Sequence, residues 1–281
     1  MKVINTELIK QAVSKLCKQI CYIMPDDVNM ALSNAKESER SKLGKEILAQ
    51  ILLNANLAKN GVAPICQDTG MVVVFIEIGQ DVRLVGEYLE DAINSGVAQA
   101  YTQGYLRKSI VSEPLFERKN TLNNTPCIIH QRIVRGDKIR LEIGTKGFGS
   151  ENKSVLKMLT PADGIDGVKN VFKQAVLDAG PNACPPLIIG VGIGGTMEKA
   201  AIMAKKAAFR SIDSQNQNPK YANLENELLD IARSTGIGPQ GLGGDTTALK
   251  VNVEYFATHI AGLAVAININ CHATRHAQMY I

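Results

Sequence analysis

The sequence predicts a mixed α+β chain, with a helical N-terminal region over about residues 1–60 and several short mixed β-sheets after it. Apolar residues recur at three- and four-residue steps through residues 4–60, as at Leu43, Ile47, Leu48, Ile51 and Leu52, with Pro25 the main breaker. Short β-rich runs follow from Met71 onward. Between two of them stands Arg135-Gly136-Asp137, a turn that suggests a hairpin.

The whole chain sets the frame for those elements. Its 281 residues allow one large domain over 1–281, with two intimate domains as the alternative. A composition of 45% hydrophobic and 21% charged residues is that of an ordinary globular protein. No stretch reaches the roughly 18 unbroken apolar residues that span a membrane. The start, Met1-Lys2-Val3-Ile4-Asn5, lacks the apolar centre of a signal peptide, so a cytoplasmic location is expected. In that compartment the six cysteines are expected to stay reduced and available to metal. A formal charge of +4, scattered and without interleaved aromatics, argues against a nucleic-acid partner.

Taken in order, the N-terminal helical region reads as scaffold. Cys17 and Cys21 lie one helical turn apart, but no histidine or further cysteine nearby completes a metal site, and core packing is the simpler reading. Pro64-Ile65-Cys66-Gln67-Asp68-Thr69-Gly70 looks like a loop built to hold something. It leads into a strand over Met71 to Ile78, and a helix is expected from about Val82 to Gln103. Arg107 comes next; it could fork onto a carboxylate or be a solvated surface charge. Strands are expected at Cys127 to Val134 and Lys138 to Thr145, with Cys127 in the core. The glycine-rich turn over 146–154 runs into a helix, a geometry that presents backbone N–H groups to an anion.

A helix from about Asp166 to Asp178 leads to Cys184, which Pro185 and Pro186 keep off any helix. After a strand from Leu187 to Val191 come Gly190, Gly192 and Gly195, spaced as in a dinucleotide fingerprint, and a helix from Thr196 to about Arg210. Beyond that helix lies a polar linker with no second parallel strand, which counts against a nucleotide. A helix around Asn223 to Ser234 precedes a third glycine loop over 236–244, where Asp245 stands in place of a phosphate-binding lysine. Leu249 to Phe256 and Leu263 to Asn270 read as a pair of strands. Cys271 closes the second, with His272 and His276 behind it.

Cys66, Cys184 and Cys271 each stand at the edge of a strand-like run. Three thiols from distant loops could ligate an iron-sulfur cluster and leave one iron position open to a substrate oxygen. Alternatively they are ordinary buried thiols.

Three blocks carry a resemblance: Pro-Ile-Cys-Gln-Asp-Thr-Gly at 64–70, Gly-Ile-Gly-Gly-Thr-Met-Glu-Lys-Ala at 192–200, and Gly-Pro-Gln-Gly-Leu-Gly-Gly-Asp-Thr-Thr-Ala-Leu at 238–249. From about residue 10 to its C-terminus, the chain resembles the alpha subunits of the class I fumarase and tartrate dehydratase family. The resemblance implies an iron-sulfur hydro-lyase alpha-subunit fold and a 4Fe-4S cluster on Cys66, Cys184 and Cys271. It implies Asp68 and His259 for proton handling or substrate hydrogen bonding, and Gln67, Arg107 and Gly149 for further contacts to a small dicarboxylate substrate. Phe148 departs from the middle glycine of the related loop. Fumarate to malate, a step of the tricarboxylic acid cycle, is the expected reaction, with L-tartrate and mesaconate as alternatives. The family's remaining substrate residues have no counterpart here, so the resemblance implies a beta subunit and a heterotetramer. A reading from another class is a non-catalytic iron-sulfur module that senses redox state.

Overall fold

Each of two four-stranded sheets is built around a strand that both neighbours flank, and each is covered by helices. The computed structural model describes residues 2–281. In chain order come β1 (Lys2–Asn5), α1 (Thr6–Tyr22), α2 (Asp26–Ser38), α3 (Lys42–Lys59), β2 (Met71–Gly79), β3 (Val82–Val85) and α4 (Leu89–Gln103). Next are β4 (Ile128–Val134), β5 (Ile139–Lys146), α5 (Phe148–Glu151), β6 (Val155–Leu159), α6 (Gly164–Ala179), β7 (Leu187–Gly194) and α7 (Met197–Ala207). The remaining elements are α8 (Pro219–Ser234), β8 (Ala248–Phe256), β9 (Leu263–Asn270) and β10 (Arg275–Tyr280). No helix among the described residues is long and apolar enough to cross a membrane.

The first compact unit comprises residues 2–25, 55–148 and 275–281. Its sheet has the order β10-β5-β2-β4, with β2 parallel to β4 and antiparallel to β5, and β5 antiparallel to β10. The apolar side chains of α1 (Ile9, Val13, Leu16, Ile20) and α4 (Ile93, Val97, Tyr101) share one core with Val72, Val74 and Ile76 of β2. Asn5 caps α1 by accepting the Glu7 N–H at 2.9 Å. A side chain at Gly96 would meet the Lys10 carbonyl at 2.6 Å, so glycine there lets α4 press against α1. β1 and β3 form a separate two-stranded parallel sheet.

The second unit comprises residues 26–54 and 149–274. Its sheet has the order β6-β9-β7-β8, with β7 parallel to β8 and antiparallel to β9, and β9 antiparallel to β6. Ile189, Val191 and Ile193 of β7 pack with Phe172 and Val176 of α6 and Leu224 and Leu228 of α8. Gly190 and Gly192 of β7 point the other way, toward α7. A Cβ at Gly190 would lie 2.0 Å from the Ala204 carbonyl and one at Gly192 would lie 2.1 Å from that of Ala200. The first two glycines of the fingerprint-like spacing therefore sit inside a strand and serve close helix-on-sheet packing.

Glu39, in the turn between α2 and α3, is only 1% exposed. Its carboxylate accepts the N–H groups of Ser41 (2.9 Å), Asp245 (3.0 Å) and Thr246 (2.9 Å) and the Thr246 hydroxyl at 2.7 Å. This ties the α2–α3 pair to the third glycine loop.

Several expectations change. The N-terminal helical region is three helices behind a strand, broken at Pro25 and at the Glu39 turn. Val82–Val85 is a strand, because it pairs with Lys2–Asn5, and the helix begins only at Leu89. Neither expected strand pair is a hairpin: β4 and β5 lie on opposite sides of β2, and β8 and β9 on opposite sides of β7. A parallel neighbour to β7 does exist, but it is β8, reached only after two helices. β6 and β10 were not anticipated.

Burial pushes the Glu39 carboxyl up, but the hydrogen bonds from Asp245, Ser41 and Thr246 together outweigh it and hold it below its ordinary value of 4.5. The stability it contributes is therefore complete above pH 4.5 and is lost as pH falls through the lower folded value. Glu39→Gln, which turns an amide NH₂ toward backbone donors, should cost about 3 kcal/mol at neutral pH in denaturant unfolding. The gap from wild type should narrow as pH drops below 4.5; a gap constant down to the acid transition would refute this account.

Candidate functional site

In the first unit the Cys66 loop is fastened on several sides before it enters β2. The Ile65 N–H donates to the Cys21 carbonyl at 2.9 Å, which ties the loop to the end of α1. Asp68 accepts the Gly70 N–H on Oδ1 at 3.1 Å and the Phe148 N–H on Oδ2 at 2.8 Å. The Thr69 hydroxyl donates to the Arg107 carbonyl at 2.7 Å, bringing the arginine's segment to the loop. Buried Tyr101 donates to the carbonyls of Thr69 (2.8 Å) and Gly70 (3.0 Å), and Asn124 donates to the latter at 3.1 Å. Gly70 has φ +78°, and a Cβ there would stand 2.7 Å from the Lys146 carbonyl, so only glycine fits.

With its backbone held this way, the loop presents its side chains outward. Cys66 and Asp68 are half-buried, and Gln67 and Arg107 are exposed. Among the described residues no ion pair engages Arg107. The structure thus gathers Cys66, Gln67, Asp68 and Arg107 on one rigid feature.

In the second unit the Cys184 and Cys271 loops meet at one end of the sheet, because the register pairs Ile188 of β7 with Asn270 of β9. Cys184 is exposed and left-handed, at φ 54° and ψ 62°, closing the 3₁₀ turn Gly180–Ala183. Its carbonyl accepts the His272 N–H at 3.3 Å. His272 Nδ1 lies 3.0 Å from that same carbonyl and 3.1 Å from Gln240 Nε2, so its tautomer decides whether it donates to the first or accepts from the second. Gln240 also donates to the Pro185 carbonyl through its N–H (2.8 Å) and through Nε2 (2.7 Å). The third glycine loop is therefore a brace for the Cys184 loop. A Cβ on Gly241 would strike Pro181 at 2.2 Å, so that contact too requires glycine. Gly149 joins this end, where a Cβ would lie 3.2 Å from the Asn182 carbonyl.

His259 stands elsewhere. It is exposed in the loop before β9, where its Nδ1 accepts the Ala261 N–H at 3.2 Å, whereas Cys271 comes after the far end of that strand. Eight strand residues separate the two by roughly 25 Å. Within one chain His259 does not join the cysteine pair.

The six thiols divide into two sets. Burial pushes Cys17 well above the ordinary thiol value, Cys21 to about 11 and Cys127 to about 12. Cys66, Cys184 and Cys271 reach solvent. A soft metal needs thiolates, so the donor chemistry of the second set fits iron and that of the first does not. Among the described residues no three His, Cys, Asp or Glu side chains already stand together as a ligand group. Gln240, Tyr101 and Asn124 escaped sequence reasoning, and His272 was left without a role. The glutamine and the histidine lie within or beside blocks already singled out, and only their partners reveal what they do.

A profile of the fumarate hydratase (Fumerase) family matches residues 10–280. A Methanocaldococcus jannaschii protein, provisionally named L(+)-tartrate dehydratase subunit alpha, is 40% identical over 275 residues, covering 96% of both chains. An Escherichia coli protein named L(+)-tartrate dehydratase subunit alpha is 33% identical over 283 residues, covering 97% of this chain and 92% of its own. A Shigella boydii protein of the same name matches to the same extent.

Iodoacetamide applied to the native chain at neutral pH should modify Cys66, Cys184 and Cys271 and spare Cys17, Cys21 and Cys127, as read by peptide mass mapping. Rapid labelling of Cys17 or Cys127 would contradict the division.

Proposed function

The chain belongs to the fumarate hydratase family, and on that footing we propose that it is the alpha subunit of a two-subunit hydro-lyase acting on a small dicarboxylate. The observation that carries the reading is the division of the thiols: the three that reach solvent are the three in or beside family-like loops, each set at the end of a strand. Cys66, Cys184 and Cys271 would hold a 4Fe-4S cluster. When bound, such a cluster supplies a Lewis-acidic iron that polarises the C–O bond of a 2-hydroxy acid.

The remaining work falls to side chains. Removing water from a 2-hydroxy acid takes a proton from the carbon next to the carbinol and hydroxide from the carbinol, and addition reverses both. Asp68 suits the proton's side of this exchange, because two backbone N–H groups fix its carboxylate while leaving lone pairs free. Exposed Arg107 has a planar fork that matches a carboxylate, and Gln67 beside the loop offers both a donor and an acceptor. Gly149 adds backbone without a side chain at the Cys184 loop. His259 enters this reading only through the family resemblance.

Addition of water to fumarate is the reaction the family resemblance puts first. The names of the relatives favour L(+)-tartrate as the second substrate to try. A beta subunit would bring the remaining groups that neutralise the substrate, in an assembly expected to be a heterotetramer. The test is anaerobic reconstitution of the chain with its beta subunit, and then assay on fumarate, L(+)-tartrate and mesaconate. Turnover of at least one is expected from the complex and none from this chain alone; inactivity of the iron-loaded complex on all three would overturn the proposal.

In the active complex, Arg107→Lys keeps the charge but loses the fork. It should lower kcat/KM by roughly 30- to 1000-fold, the equivalent of about 2–4 kcal/mol of transition-state binding. Wild-type kcat/KM would make Arg107 a solvated surface charge.

A further inference from the structure

Four residues beyond Cys271, the chain buries an arginine that meets no anion. Arg275, the first residue of β10, is 1% exposed, and its Nε and Nη1 have no hydrogen-bond partner. A guanidinium does not give up its proton in a protein, so the charge stays in place. A buried charge without a counter-charge is strongly unfavourable.

Among the described residues of its own unit, no ion pair engages it. Nη2 lies 3.6 Å from the point where a Cβ on Gly147 would stand, and Asp68 Oδ2 lies 3.1 Å from the same point. Asp68 is thus close by, yet the Gly70 and Phe148 N–H groups fix its carboxylate, and no ion pair joins it to Arg275 among the described residues. Cys21 is near enough to feel the positive charge, but burial raises its thiol to about 11, so it is neutral at pH 7. Tyr101 is likewise held neutral by burial, its hydroxyl committed to Thr69 and Gly70. Other buried charges in the chain are treated differently. Half-buried Arg210 pairs with Glu225 and Glu254, and buried Glu39 accepts from three backbone N–H groups and one hydroxyl.

We propose that Arg275 is the counter-cation of the anionic, thiolate-ligated cluster that Cys66 helps to hold, its guanidinium set behind Asp68 and Gly147 to neutralise charge from inside the fold. This rests on the hydro-lyase function proposed for the chain. Thiolate ligation makes such a cluster anionic, and nearby charge sets its reduction potential. A fixed cation stabilises the more negative, reduced state, so removing it lowers the potential. The same cation is a burden on the empty protein, so removing it there costs little.

The experiment compares wild type with Arg275→Gln, Arg275→Met and Arg275→Lys in the full chain paired with its beta subunit. Thermal midpoints are taken without iron. Iron and sulfide content, the rate of iron loss to a chelator and the reduction potential are measured after anaerobic reconstitution with ferrous iron and sulfide. The neutral variants should fold with an unchanged or higher midpoint, lose iron at least tenfold faster once loaded, and show a lower potential. Lysine should restore most of both properties. Neutral variants that hold iron as wild type does, at wild-type potential, would overturn the assignment, as would failure of both to fold. A wild-type complex that takes up no iron and sulfide would sink the hydro-lyase reading itself.

Discussion

The start of a central strand is the most constrained place in a sheet, because hydrogen bonds on both edges fix the backbone there. This chain hangs a cysteine loop from that place twice. Cys66 lies ahead of β2, which β4 and β5 flank, and Cys184 lies ahead of β7, which β8 and β9 flank. In each sheet the parallel neighbour comes next in sequence and the antiparallel neighbour after it. Chain leaving the antiparallel neighbour then returns to the cysteine loop. After β5, the Phe148 N–H reaches Asp68; after β9, the His272 N–H reaches the Cys184 carbonyl. The same topology therefore yields the same local device in both units.

The fourth strand breaks that likeness. β6 comes after β5 in sequence but joins the sheet of β7, and β10 comes after β9 but joins the sheet of β2. The second sheet therefore stays within one run of chain, 155–270, whereas the first is completed by a strand that returns after that run. The first sheet cannot be finished from a contiguous piece of sequence, and Arg275 begins the strand that closes it.

Much of the helical framework was legible, because 3.6-residue periodicity is a local property that α1, α3, α4 and α6 display directly. The break at Glu39 was not, since the donors that stabilise that turn include Asp245, about 200 residues away. Strand pairing failed for a similar reason. The Arg135-Gly136-Asp137 turn does turn the chain, but β2 lies between the strands it connects, and sequence proximity says nothing of an inserted strand. The loops that carry chemistry were legible as blocks through their resemblance. The roles of single residues inside them were not, because Gln240 is read only from what it touches, the Pro185 carbonyl and His272. Gly190 and Gly192 make the same point in reverse. Their spacing suggested a ligand, but the atoms they admit are the carbonyls of α7.

Buried polar groups separate structural demand from functional demand here. Glu39 is as buried as Arg275, yet three backbone N–H groups and a hydroxyl converge on its carboxylate and brace the loop that carries them. A charge satisfied so fully has its cost of burial met within the fold. Arg275 sits in a sheet whose backbone bonding to β5 is regular, so its burial does not arise from a broken element. What distinguishes the two is that among the described residues no ion pair meets the arginine, whose Nε and Nη1 go unbonded beside a loop that offers a thiol and a carboxylate to the outside. Natural cores rarely leave such a nitrogen unmatched without a ligand or ion to complete it. The chain therefore carries, in its fixed backbone, half of an electrostatic pair whose other half is to be bound.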